Sequence, residues 1–343
     1  HIGSTAIAGV PAKPVIDIMV LLKDSEAAKQ LGLDNKAVAL IGDGSLTGGL
    51  AFEGLNNAGA ARSDILVILN DNNISIDRNI GALHEYLLNI TTNPRYNNAK
   101  KCIWDRLGDG KVRKMIQKMV VSTKSSLVRH SGGDLFESMG FRYFGPIDGN
   151  DIVQVVETLQ KLRELGGPLL LHVLTKKGKG YAAAENDPAT WHAPGRFDVA
   201  TAERKRSDYK AARYQDVFGQ TLLDLARMDE RVVGITPAMP SGCSLNIMME
   251  KMPCRCFDVG IAEGHAVTFS GGMAKDGLVP FCNIYSSFLQ RAYDNIIHDV
   301  ALQRLPCVIC VDRAGLNSGD GATHHGIFDV AFLSQIPGIE IYA

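Results

Sequence analysis

Apolar residues fall in short β-branched runs separated by longer stretches of mixed polarity. Ala37 to Ile41, Ile65 to Leu69 and Leu169 to Leu174 each read as a strand buried on both faces. A second series follows at Val232 to Ile235, Cys256 to Ile261, Val279 to Ile284 and Cys307 to Val311. Between them, Tyr214 to Met228 has the helical period, with Val217, Phe218, Leu222 and Leu225 on one stripe. Strands alternating with helices predict an α/β fold with mostly parallel sheets. The turn-rich string Phe141 to Asn150 predicts a connector, and the polar, basic region Thr91 to Gly133 a long excursion from the core. The charged stretch Glu203 to Lys210 predicts a linker.

The polar residues that close the first two runs carry the chemistry. Val38-Ala39-Leu40-Ile41 ends in Gly42-Asp43-Gly44, and Leu66-Val67-Ile68-Leu69 ends in Asn70-Asp71-Asn72-Asn73. Both turns fall at carboxyl ends of strands, where open α/β sheets bind ligands. A carboxylate and an amide oxygen are hard ligands suited to Mg²⁺ or Ca²⁺. Mg²⁺ is usually held by one or two carboxylates plus the oxygens of a bound phosphate, so the pair Asp43 and Asn72 predicts a metal-anchored diphosphate. A dinucleotide fingerprint fits less well, because Gly42, Gly44 and Gly48 miss its spacing.

Composition narrows the class. The chain has 343 residues, 45% of them hydrophobic, enough for two cored domains. A net charge of −1 with interspersed signs argues against nucleic acid or a membrane surface as partner. No apolar run nears the roughly 20 residues that span a bilayer, and no leader pattern opens the sequence, so a cytoplasmic enzyme is expected. The seven cysteines suit a reducing compartment, and Cys307 to Cys310 reads as strand rather than zinc site.

The Gly-Asp-Gly turn, the intervening helix and the Asn-Asp-Asn-Asn turn resemble the thiamine diphosphate motif of transketolase-like enzymes. The string Ser45 to Gly59 narrows this to a resemblance to the 1-deoxy-D-xylulose-5-phosphate synthases. Phe257 to Val267, with Ala262-Glu263-Gly264-His265-Ala266, Ile284 to Asp294, and Asp312 to Gly326 resemble the same family. The resemblance runs from about residue 36 to 343. It implies two transketolase-like domains: a diphosphate-binding domain at 36–200, a linker at 201–213 and a pyrimidine-binding domain at 214–343. The family carries a much longer segment before the Gly-Asp-Gly turn and a third domain after the second. Both are expected to be absent here, which would leave a weak or inactive synthase. Residues 1–35 stand apart, because His1 to Ile18 resembles a fragment of the GrpB family.

The resemblance also implies roles. Asp43, Asn72 and the Ile74 carbonyl would hold Mg²⁺, with Gly44, Ser45 and Tyr181 beside the cofactor. Glu263 would hydrogen-bond the pyrimidine nitrogen, in surroundings with few charges, and Phe288 would stack on the ring. Tyr285, Arg291, Arg313, Asp320 and His324 would meet substrate, and His192 and His324 would handle protons with Glu263. Gly264 stands where the family usually has Gln, and Asn150 where it has His. The implied reaction decarboxylates pyruvate on thiamine diphosphate and joins the two-carbon unit to D-glyceraldehyde 3-phosphate, releasing CO₂. It serves isoprenoid precursor and thiamine biosynthesis, in a homodimer. The alternatives are an inactive homologue and another transketolase-type ketol transferase.

Overall fold

The computed structural model describes residues 37–73, 81–92, 133–192, 194–204, 211–317 and 321–342. The chain divides into two compact units. Among the described residues, 37–73 and 81–180 form one and 181–342 the other.

The first unit is a four-stranded parallel sheet in the order β1-β2-β4-β3. Its strands are β1 (Ala37–Gly42), β2 (Ile65–Asp71), β3 (Arg142–Asp148) and β4 (Leu169–Leu174). Helices lie on both faces of the sheet, but among the described residues Val38 and Leu40 of β1 stay exposed, so the expected burial of that edge strand on both faces is corrected to its Ala39 and Ile41 side. On one face, α1 (Gly49–Ala60) sets Ala51, Leu55 and Ala58 in a core with Ile41, Val67 and Leu69. These lie four and then three residues apart, the spacing of one helical stripe. Helix α2 (Ala82–Thr92) adds Leu87 and Ile90 to this core. On the other face, α3 (Ile152–Arg163) packs Leu162 against Leu171 and Val173. Asp151 caps α3 by accepting from the amides of Val153 and Gln154, both at 3.1 Å.

Strand β3 corrects the expectation of a connector over Phe141 to Asn150. Gly145 and Pro146 interrupt the pattern, but they do so at a break in the register between Phe144 and Ile147. An edge strand tolerates proline at such an irregularity, because one of its sides needs no ladder donor. The expected excursion over Thr91 to Gly133 lies almost wholly outside the described residues.

The second unit repeats the plan. Strands β5 (Val232–Thr236), β6 (Cys256–Asp258), β7 (Val279–Tyr285) and β8 (Val308–Asp312) run parallel in the order β6-β5-β7-β8. Helix α4 (Tyr214–Met228) has the predicted bounds and buries Leu222, Leu223 and Ala226, whereas Val217 and Leu225 of the expected stripe are exposed. Helix α5 (Glu263–Lys275) lays Ala266 and Val267 against Ile235 and Ile284. Strand β6 is shorter than the apolar pattern predicts. The Asp258 carboxylate ends it by accepting from the amides of Ala238 (2.8 Å) and Gly260 (3.0 Å), which turns the chain toward α5. No described helix is long and apolar enough to cross a membrane.

Candidate active site

The carboxyl ends of β1, β2 and β4 gather the polar residues of the first unit. The Asp43 amide donates to the Asn70 carbonyl at 3.1 Å, which joins the two motif turns. The Asn73 amide donates to Asp43 Oδ2 at 2.9 Å, with Asn73 in the left-handed region at φ 60°. Asp43 and Asn72 therefore follow two adjacent parallel strands, β1 and β2. Ser45 is buried in the same turn, and Gly44 precedes it in helical conformation. Ile74 lies outside the described residues. No cluster of three or more His, Cys, Asp or Glu side chains forms a metal site among the described residues.

A second carboxylate lies beneath this turn. Asp71 is 1% exposed and meets His172 Nε2 at 2.9 Å. His172 is wholly buried, and its Nδ1 meets the Tyr143 hydroxyl at 2.7 Å. Burial alone would push the Asp71 carboxyl up, but His172's hydrogen bond and charge outweigh it and hold Asp71 below the usual range. Burial, then the charge of Asp71 and a hydrogen bond to it, push Asp43 up to about 7. An oxygen-rich turn whose buried carboxylate resists ionisation fits a hard divalent cation, which supplies the missing positive charge.

In the second unit, Glu263, Tyr285, Phe288, Arg291, Arg313 and His324 gather near the carboxyl ends of β7 and β8. Glu263 opens α5 and is 5% exposed. Phe288, in the turn after β7, stacks on Tyr285 (centroids 5.8 Å apart) and meets the His324 ring edge to face at 5.5 Å. Arg313, at φ 58°, lays its guanidinium over Tyr285 at 4.4 Å. A non-glycine residue held in that region is a form of backbone strain that clusters at functional sites. Tyr285 is buried with its hydroxyl against Gly242, where any Cβ would lie 1.8 Å away.

The expectation that Glu263 has few charges nearby is corrected. Arg291 Nη1 donates to Glu263 Oε1 at 2.8 Å, and the same guanidinium lies 5.4 Å from the Phe288 ring centre. The two residues are 28 apart in sequence, so no local pattern announces the pair. Gly264 has a physical partner in this arrangement, since a Cβ there would sit 2.7 Å from Asn295 Oδ1. Asn295 thus fills space that a larger residue at 264 would contest.

Tyr181 and His192 lie on a separate stretch of the second unit. Tyr181 packs edge to face with Trp191 at 5.1 Å, and its hydroxyl donates to the Val199 carbonyl at 3.2 Å. His192 follows Trp191 in the same turn, with its amide on the Ala189 carbonyl at 3.2 Å. Asp320 lies outside the described residues. Sequence reasoning missed Asp71, His172 and Tyr143. The available signals were a lone His inside the apolar run of β4 and an Asp between two metal-motif asparagines.

Comparison with known proteins adds two domain matches. Residues 21–175 match the 1-deoxy-D-xylulose-5-phosphate synthase amino-terminal family, and residues 210–343 match the transketolase pyrimidine-binding domain. The chain is 54% identical over 313 residues to the 1-deoxy-D-xylulose-5-phosphate synthase of Porphyromonas gingivalis, covering 89% of this chain and 49% of that protein. It is 55% identical over 324 residues to that of Bacteroides thetaiotaomicron, covering 92% and 50%. The chain thus spans about half the length of these relatives. Among solved structures, transketolase from Leishmania mexicana aligns at 15% identity and TM-score 0.35, covering 89% of this chain and 51% of that one.

Proposed function

The chain belongs to the 1-deoxy-D-xylulose-5-phosphate synthase family, and on that premise we propose that it binds thiamine diphosphate and serves the family's pyruvate-decarboxylating transfer. The observation that carries this reading is the cluster of Glu263, Phe288, Arg291, Tyr285, Arg313 and His324 at one end of the second sheet. A carboxyl, an aromatic face and two guanidinium groups match a heteroaromatic ring next to a phosphate ester.

Thiamine diphosphate, when bound, would supply the carbon nucleophile for pyruvate decarboxylation. The chain's own residues bind and orient. Asp43, Asn72 and the Ile74 carbonyl are assigned to Mg²⁺ at the diphosphate, with Gly44 and Ser45 lining the turn. Glu263 is assigned to the pyrimidine nitrogen, where it holds or releases one proton, and Phe288 to the ring face. Arg291, Arg313, Tyr285 and Asp320 are assigned to the phosphate and hydroxyls of D-glyceraldehyde 3-phosphate. Arg forks suit the phosphate geometry. His324 and His192 are assigned to proton transfer at the substrate oxygens. Tyr181 supports the cofactor from its aromatic cluster. The domain bounds of 36–200 and 214–343, a homodimer and a cytoplasmic location belong to the same proposal.

The other transketolase-type reading differs in donor. The pyrimidine-domain match is common to both, while the match over 21–175 favours the synthase. Purified chain with Mg²⁺ and thiamine diphosphate is offered pyruvate or a ketose phosphate, each with D-glyceraldehyde 3-phosphate. CO₂ release from pyruvate supports the synthase reading. Transfer from the ketose phosphate alone overturns it.

A further inference from the structure

The Glu263–Arg291 pair joins two groups that the proposed function assigns to different ligands. Glu263 is 5% exposed, so its charge is costly to leave uncompensated. Arg291 is 52% exposed, so its guanidinium can leave the pair for solvent or a ligand without unpacking the core. Its guanidinium also lies 5.4 Å from the centre of Phe288, the ring assigned to stack on the pyrimidine. A guanidinium neutralised by a carboxylate at 2.8 Å is a poor receptor for a phosphate, which the same carboxylate repels. A Glu263 oxygen held by Arg291 is likewise engaged when a ring nitrogen arrives.

We propose that Arg291 is the partner of Glu263 in the cofactor-free chain, and that the pyrimidine ring and the acceptor's phosphate are positively coupled through this pair. The ring takes Glu263 and releases Arg291 for the phosphate. A phosphate that takes Arg291 releases Glu263 for the ring. This inference rests on the assignment of Glu263 to the pyrimidine and Arg291 to phosphate. Linkage requires each ligand to tighten the other by one common factor, typically about 5–150-fold.

The probe is glycerol 3-phosphate, a phosphate monoester with no aldehyde to react. It is titrated calorimetrically into the full chain, without cofactor and with Mg²⁺ and thiamine diphosphate. Affinity should rise about tenfold on loading, and the probe should tighten cofactor binding by the same factor. Glu263→Gln should reach the tighter phosphate affinity with no cofactor present. Arg291→Gln should bind cofactor more tightly than the parent and lose the coupling. Equal phosphate affinity in the cofactor-free parent and Glu263→Gln overturns the inference, as does an Arg291→Gln chain that binds cofactor more weakly. Phosphate binding to neither chain overturns it too. If Glu263→Gln does not fold, the parent's two reciprocal titrations decide alone, and absence of coupling overturns it. A parent that binds no cofactor sinks the proposed function and the coupling with it, while the phosphate comparison of parent and Glu263→Gln still decides whether Glu263 withholds Arg291 from phosphate.

Discussion

Asp43 and Asp71 show how one turn gives two carboxylates opposite tendencies. Asp71 has His172 as a partner, whereas Asp43 has burial and the charge of Asp71 against it. The folded value of Asp43, about 7, lies above its ordinary 3.8. Between those values the folded chain keeps a proton that the unfolded chain has released, so this group makes stability fall as pH rises. Asp71, lowered by folding, contributes stability that is lost only as pH falls toward its own range. Melting temperature should therefore drop between pH 5 and pH 7.5, and Asp43→Asn should flatten that drop. Mg²⁺ should raise the parent's melting temperature more at pH 7.5 than at pH 5, because metal and proton compete for one carboxylate. A steeper drop in Asp43→Asn would contradict the assignment. His172→Phe strips Asp71 of its buried partner and should cost about 3–5 kcal/mol, read from denaturant unfolding. Asp43, Asn72 and Glu263 are legible in the sequence because each sits in a long specific string at a strand end. Asp71 and His172 are not, because they meet across 101 residues and His172 hides in an apolar run.

At the scale of elements, apolar periodicity recovers strands and helices whose faces are buried. Helix α4 and strands β1, β2, β4 and β7 fall where the pattern places them, within a residue or two at their ends. Strand β3 escapes because Gly145 and Pro146 punctuate it, and the sheet accommodates them only through its edge position. Close approach is equally invisible to periodicity. A Cβ at Gly59, on α1, would lie 1.8 Å from the Met139 carbonyl oxygen. Gly59→Ala should therefore force backbone shifts and destabilise by about 1–3 kcal/mol, despite the higher helix propensity of alanine. Asp151→Ala, which removes the cap of α3, should cost about 1 kcal/mol. An unchanged denaturation midpoint in either variant would contradict the packing described for it.

For the whole molecule, the chain carries two domain matches, and the diphosphate is assigned to residues of the first unit and the pyrimidine to residues of the second. The two parts should be separable with ligand fragments. Pyrophosphate with Mg²⁺ should depend on Asp43 and not on Glu263, and thiamine should show the reverse. Titrations in which both variants lose both fragments would contradict that division. The central claim is that Glu263 acts on a bound thiamine diphosphate. Hydrogen exchange at C2 of the thiazolium ring, followed by NMR with Mg²⁺ present, tests it most directly. The parent chain should speed exchange over free cofactor, and Glu263→Ala should still bind the cofactor but lose about 10²-fold or more of that acceleration. Exchange as fast in Glu263→Ala as in the parent would contradict the account.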